Sequence, residues 1–353
     1  MQSSVSAKKS KSTIILSCSL LLTAALLAGC ASSQSNPTET EGSPESMKTL
    51  IVGNSSGLVS EPYVLLAEER GLFSDEGLTV ENVPGGSSAE RVAALVGGSV
   101  DVTSMSISDL FLAMANSNFE GVIVAGGYGV TAEQIEASIP APAYDGTLIL
   151  ETALILGPGV DISSLGSLES VRMGVRSPSA LPTLGLEVFI KKEFPKPPAL
   201  ELIPFENQID SLAALMSGDL QGALLSGAVA HEALTQGTSL AAYPLAYWVE
   251  PGPFTLWVTT AETAEKKSRE LNVFKAALSS VAKELNKSES LEPFRAFLKT
   301  KYDLSDLALS QVTIPPLVEG NVTFEDLSWV SKRLFDAGLA DRLVTSESLR
   351  FLQ

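Results

Sequence analysis

The sequence predicts an α/β protein of two similar lobes, each a mainly parallel sheet flanked by helices, with a ligand cleft between the lobes. Three observations carry that prediction. Gly57 to Asp101 runs helix, strand, Gly-Ser turn, helix, strand, the order of a parallel α/β sheet, whose ligands sit at the loops leaving the carboxyl ends of the strands. The pattern recurs downstream: Val80 to Ser106 pairs without a gap with Leu200 to Ser226, matching Glu81 with Glu201, Pro84 with Pro204, Ala93-Ala94-Leu95 with Ala213-Ala214-Leu215, Gly98 with Gly218 and Ser106 with Ser226. Two amphipathic helices can match by chance; a repeated lobe accounts for the shared apolar phase as well as the identities. After Cys30, finally, no apolar run is long enough to cross a bilayer, so the hydrophobic residues must be buried in cores.

The first 29 residues stand outside this fold. Lys8, Lys9 and Lys11 give a positive start, Ile14 to Leu27 is an apolar run too short to span comfortably, and Leu27-Ala28-Gly29-Cys30 places small residues before a cysteine. This resembles the lipobox of bacterial lipoproteins, which implies a signal peptide over residues 1–29, cleavage before Cys30 and lipidation of Cys30, with palmitate among the acyl groups; an uncleaved anchor or an ordinary secretory signal is the alternative. Cys18 leaves with the leader, so the mature chain holds no second cysteine for a disulfide. Residues 30–47, rich in Ser, Glu, Pro and Thr, lack the apolar surface to fold and read as a flexible tether.

Loss of the three leader lysines takes the formal charge from −17 to −20. That balance disfavours nucleic acid and anionic membrane surfaces as partners, while a cleft keeps its own local field.

The body opens with a strand, Lys48 to Gly53, so Asn54, Ser55, Ser56 and Gly57 form a polar loop at its carboxyl end, suited to a ligand or to an ordinary turn. Tyr63 to Glu69 has helical period and ends at Arg70-Gly71. Leu78 to Val83 alternates as a strand, and Gly85, Gly86, Ser87 and Ser88 start the next helix. Their free N–H groups suit an anion, and Ser87 or Ser88 suits a plain N-cap. The strand Val100 to Thr103 delivers Met105 and Ser106 to the same edge, and Gly121 to Tyr128 is a buried strand whose glycines and Tyr128 mark its exit.

Tyr63-Val64-Leu65-Leu66-Ala67-Glu68-Glu69-Arg70-Gly71-Leu72-Phe73, Glu76-Gly77-Leu78, Gly85-Gly86-Ser87-Ser88 and Ala93-Ala94-Leu95 through Gly98 to Val100-Asp101 together resemble the ABC-transporter solute-binding proteins for nitrate, sulfonates and taurine, whose relatives bind thiamine-pyrimidine precursors. The similarity continues through Val171 to Val175, Ala213 to Asp219 and Leu327 to Gly338. It implies a two-lobed periplasmic-binding-protein-like fold: lobe 1 over residues 48–127, a crossover over 128–163, lobe 2 over 164–239, and a return crossover with the rest of lobe 1 over 240–353. It also implies an extracytoplasmic location, at the periplasm or cell surface, a membrane ABC permease as partner and a small-molecule ligand. The chain is expected to be a monomer. In the family a Gly-Ser pair at a helix start holds the ligand's polar group from the second lobe; here that turn carries Arg176 and Ser177, and the guanidinium either clamps an anion or lies in solvent. Ser226 is the second lobe's counterpart of Ser106. Tyr247 and Trp248 at the return read as core at a domain junction or as stacking groups.

Enzyme chemistry has little support. His231 is the one histidine and has no cysteine or second histidine in its stretch of sequence for a metal site or triad; no Walker loop, dinucleotide-binding glycine turn or HExxH is present. The expectation is a non-enzymatic receptor without cofactor or metal, capturing a sulfonate, taurine, nitrate or similar organic anion. A thiamine-type pyrimidine or other neutral heterocycle is one alternative ligand, and a surface interaction or sensory protein working through an outer face is the alternative function.

Overall fold

The computed structural model describes residues 48–54, 60–84, 86–205, 207–302 and 304–353. The leader, the tether with Cys30, and the loop residues Ser55, Ser56 and Gly57 lie outside the described residues.

Four strands open the chain: β1 (Lys48–Asn54), β2 (Leu78–Pro84), β3 (Val102–Ser106) and β4 (Gly121–Gly126). Helices Glu61–Glu69, Ser88–Val96 and Ile107–Ser117 alternate with them. Sequence chemistry sets these bounds. Pro62 sits in the first turn of its helix, where its missing N–H costs nothing, and Gly71 just past the end takes φ +73°. After a short strand β5 (Gly129–Val130), the chain forms β6 (Thr152–Leu156), β7 (Ser170–Val175), β8 (Ala199–Pro204), β9 (Gly222–Ser226) and β10 (Ser239–Ala242), with helices Leu181–Glu193, Gln208–Met216 and Gly227–Thr235 between the later ones. It ends with β11 (Gly252–Pro253), β12 (Thr255–Thr260), helices that include Ser268–Leu285, and β13 (Arg350–Phe351).

These strands make two main sheets, ordered β13-β4-β12-β3-β1-β2 and β10-β6-β9-β7-β8, and a two-stranded ribbon of β5 and β11. In the first sheet β1 runs parallel to β2 and β3, and β12 antiparallel to β3 and β4; in the second, β7 runs parallel to β8 and β9, and β6 antiparallel to β9 and β10. The two orders superimpose, β1 on β7, β2 on β8, β3 on β9, β12 on β6 and β4 on β10. The repeat read from sequence is structural: Pro84 and Pro204 end equivalent strands, helices 88–96 and 208–216 hold matching positions, and Gly98 and Gly218 both take left-handed φ, +71° and +82°.

β6 lies within residues 128–163, expected to be the first crossover, and β10 runs from residue 239, the end of the expected second lobe, into the expected return; both strands belong to the second sheet. Each antiparallel strand, β6 and β12, is one on which the chain arrives after leaving the other sheet. It enters from the opposite end and therefore runs against its neighbours.

Helix Ser268–Leu285 buries Leu271, Phe274 and Leu278 against Leu50, Val52, Val102, Val122 and Val124 of the first sheet, with Phe274 stacked on Phe73 at 5.9 Å and met edge-on by Trp257 at 5.0 Å. Leu186, Phe189 and Ile190 do the same for Leu154, Leu156, Val171, Met173 and Val175 of the second. Burial of each such side chain contributes about 1.5–3 kcal/mol. Trp248 is buried in a cluster with Leu245 and Val249. Among the described residues no helix is long and apolar enough to cross a membrane.

Candidate ligand-binding cleft

The carboxyl ends of β1, β2 and β3 share one edge of the first sheet. Asn54 pairs with Pro84, and Ser106 with Thr255 at the start of the antiparallel β12. The second sheet has the same edge: Val175 pairs with Pro204, and Ser226 with Thr152 at the start of β6. Whatever precedes Thr152 or follows Val175 is therefore delivered to that edge, and these residues are Glu151 and Arg176.

Several of the expected ligand contacts are engaged within the chain. Asn54 is 2 % exposed, donates to Asn82 (2.8 Å) and accepts from Ser60 (3.4 Å) in a buried polar chain that reaches Ser104. Ser87 forms a complete capping box: its hydroxyl accepts from the Glu90 amide, and the Glu90 carboxylate accepts from the Ser87 amide (2.6 Å) and hydroxyl (3.0 Å). The helix start that could have taken an anion is thus covered by a carboxylate of its own, which also packs over Gly86. The side chain of Ser88 lies outside the described residues. Ser106 caps its helix by accepting from the Asp109 amide (3.1 Å) and contacts Ser108. Met105 is 1 % exposed and packs in the core, because it faces away from the edge. Ser177 is bound to Ser179 (3.1 Å), and its carbonyl accepts from Thr183 (2.7 Å). Ser226 pairs with Thr152 (2.8 Å) at a helix start that has no side-chain cap.

Arg176 and Tyr128 belong to a different group. The Arg176 charge acts on Tyr128, on Glu151 and on Arg91, and Glu151 acts on Tyr63 and Tyr128. Tyr63, Arg91 and Tyr128 come from the elements of the first sheet, Glu151 and Arg176 from the edge of the second. This constellation joins the two lobes.

Its electrostatics follow from enclosure. The Glu151 side chain is reached by solvent yet walled by protein, as on the side of a cleft. That enclosure pushes its carboxyl up from the ordinary range, and Arg176 opposes the rise. Among the described residues no side chain pairs with this carboxylate. Burial raises the phenol of Tyr63, and Glu151 adds to the rise; Tyr128 is raised by the same two causes in the same order. The Tyr63 ring stacks on Phe294 at 5.9 Å, and Tyr128 meets Phe254 edge-on at 4.5 Å. Neither hydroxyl has a partner among the described residues, and neither is sealed from solvent. Arg91, 8 % exposed, donates to the Gly86 carbonyl; burial lowers its pKa, Asp109 counters this, and Arg176 lowers it further. Arg91, from the elements of the first sheet, and Arg176, at the edge of the second, are thus like charges that disfavour one another.

Glu151, Tyr63 and Arg91 were not among the residues expected from sequence. Arg91 looks like any exposed helix cation until the turn of Ser88–Val96 buries it. Glu151 lies in a stretch with no periodicity, and only the antiparallel entry of β6 gives it a place. A cavity of about 290 Å³ beside helix Ser268–Leu285, lined by Asn272, Lys275, Val318 and Gly320 among others, includes none of these groups. Among the described residues no cluster of His, Cys, Asp and Glu could hold a metal ion.

No family model and no curated protein matches the chain. Solved structures do. The ligand-binding component of an ABC-type import system from Staphylococcus aureus, solved with zinc bound, superimposes with a TM-score of 0.64 at 12 % identity, over 86 % of this chain and 96 % of that one. The periplasmic aliphatic sulphonate-binding protein SsuA from Escherichia coli gives 0.62 at 15 % over 85 % and 91 %. A Candida albicans protein described as exhibiting the generic periplasmic binding protein fold gives 0.58 at 14 % over 85 % and 92 %. The chain has the periplasmic-binding-protein fold. At these identities the likeness is one of fold.

Proposed function

We propose that this chain is an extracytoplasmic solute-binding receptor, anchored through a lipid on Cys30, that captures a small organic anion between its lobes and delivers it to a membrane ABC importer. The observation that carries this reading is the confrontation of Arg91 from the first lobe with Arg176 from the second. Like charges held in one partly enclosed cleft oppose its closure, and an anion lying between them relieves the repulsion and gives both lobes a common partner. Guanidinium forks suit sulfonate, carboxylate or phosphonate oxygens. Several solved structures of this fold are import receptors, one of them for aliphatic sulphonates, which agrees with the reading. No enzymatic step is assigned to the chain.

The test is thermal unfolding of the detergent-purified chain against sulfonates, carboxylates, nitrate and thiamine-type pyrimidines. A ligand at about 100 times its dissociation constant adds about 2.7 kcal/mol, a rise of a few degrees in Tm. A rise with an anionic class that disappears in Arg176→Gln supports the receptor. Folded protein that responds to no member of the panel overturns it.

A further inference from the structure

The cavity of about 290 Å³ beside helix Ser268–Leu285 lies outside the cleft and is close to the lower bound of small-molecule pockets, about 300 Å³. Asn272, Lys275 and Ser279 recur at the spacing of one helix face and form one wall; the end of β4 and the segment after Leu317 form the others. These walls are fixed without a ligand. Asn286, at the end of the helix, accepts from the Leu317 amide (2.9 Å) and donates to the Leu317 carbonyl (2.8 Å), and the Val318 amide donates to the Gly127 carbonyl (2.9 Å). The packing is close enough that a Cβ added to Gly126 would meet Val318 at 2.5 Å.

One cation in this wall has no partner. Among the described residues Lys196, Lys275, Lys283 and Lys287 make no ion pair, hydrogen bond or ring contact; the other three are exposed, and Lys275 is half-buried at the cavity. In a chain of formal charge −17 acids are plentiful, and a half-enclosed ammonium left unpaired is unfavourable unless solvent or a ligand serves it. Glu319, the acid of the wall, is engaged elsewhere: its carboxylate accepts from Asn286 (2.7 Å) and its carbonyl from the Ser279 hydroxyl. The amides of Gly320 and Asn321 donate to nothing among the described residues. Beside these donors the wall is apolar, with Ala125, Leu278 and Val318. A single cation with free amides and a short apolar wall suits a singly charged acid that carries a short hydrocarbon tail; a dianion would lack a second cation.

We propose that this cavity is a second binding site, on the first lobe and apart from the cleft, for a short-chain carboxylate: Lys275 pairs with the carboxylate and the apolar wall takes the tail. The inference uses none of the cleft residues and does not rest on the receptor reading. A solute held there touches both the helix on the first sheet and Gly126, the last residue of β4 before the chain leaves for β5.

Butanoate is the probe and butan-1-ol its neutral counterpart, each titrated into the full chain near neutral pH and followed by saturation-transfer NMR. Butanoate is expected to bind saturably and about 10-fold or more tightly than the alcohol, which cannot make the charged hydrogen bond. That binding is expected to survive Arg176→Gln, which removes a cation of the cleft, and to weaken about 10-fold or more in Lys275→Met, which keeps the length of the side chain. The comparison of acid with alcohol needs no Lys275 variant, so a folding defect in Lys275→Met leaves the inference testable. Absence of butanoate binding by folded protein, equal binding of butan-1-ol, or binding of inorganic phosphate in place of butanoate overturns the carboxylate site. Butanoate that is lost in Arg176→Gln and kept in Lys275→Met overturns it as well, because the acid then lies in the cleft, and that result leaves the receptor reading standing.

Discussion

Residues 120 positions apart play the same structural part in the two lobes, while the side chains they carry differ in chemistry. The Ile107 amide donates to the Phe254 carbonyl (3.0 Å), and the Gly227 amide to the Glu151 carbonyl (3.1 Å). The frame is common, but the residue before the antiparallel strand is phenylalanine in one lobe and glutamate in the other. Deeper in the sheets, Asp101 accepts from the Ile51 amide (2.7 Å) as Gln221 does from Arg172 (2.7 Å). Arg91 has Ser211 as its counterpart, and Phe111 has His231. Backbone geometry tolerates little change, so it is kept; charge at the cleft is set independently in each lobe.

The largest effect is expected where one lobe presses on the return of the chain. Gly185, inside helix Leu181–Glu193, lies so close to the turn after β10 that an added Cβ meets the Pro244 carbonyl oxygen at 1.9 Å. The helix after β1, Glu61–Glu69, carries buried Val64 in the matching place. Gly185→Ala is expected to cost about 3 kcal/mol in denaturant unfolding, because backbone cannot give way as a side chain does. A loss under about 1 kcal/mol would show that the helix and the turn separate freely.

This asymmetry also marks what was legible in the sequence. The repeat could be read because its helices and strand ends keep identities in phase, Pro84 with Pro204 and Gly98 with Gly218. Arg176 could be read as a candidate because it follows an unmistakable buried strand. Glu151 could not, since its position depends on a pairing, Thr152 with Ser226, between segments 74 residues apart. Ser87 and Ser106, both candidates for ligand contact, cap their own helices. The same chemistry that binds an anion also satisfies a helix start, and sequence does not separate the two.

The paired ladder acceptors offer a narrower comparison. Asp101 serves the Ile51 amide and also pairs with Lys267 (2.7 Å), whereas Gln221 serves only the Arg172 amide among the described contacts. Removing either leaves a strand amide without its partner, at about 1–3 kcal/mol. Asp101→Ala is expected near the upper end and Gln221→Ala near the lower, measured as ΔΔG of urea unfolding. Equal losses would mean that Lys267 contributes nothing.

The smallest effect concerns His231, which stands in helix Gly227–Thr235 where helix Ile107–Ser117 has Phe111. His231, 7 % exposed, hydrogen-bonds through Nδ1 with the Tyr144 hydroxyl, and burial holds its pKa below the ordinary value. The folded state thus binds the proton less readily than the unfolded chain. Stability from this group is complete above the ordinary histidine pKa of about 6.5 and is lost as pH falls through that value toward the folded one. The first lobe has Phe111, 1 % exposed, in the corresponding place and cannot titrate there. His231→Phe is therefore expected to flatten the decline of Tm between neutral and mildly acidic pH by about a degree while leaving the neutral-pH value nearly unchanged, since the fold already accommodates an aromatic hydrocarbon at the matching position. An unchanged slope would assign the acid sensitivity to carboxylates whose pKa the fold lowers, Glu270 among them.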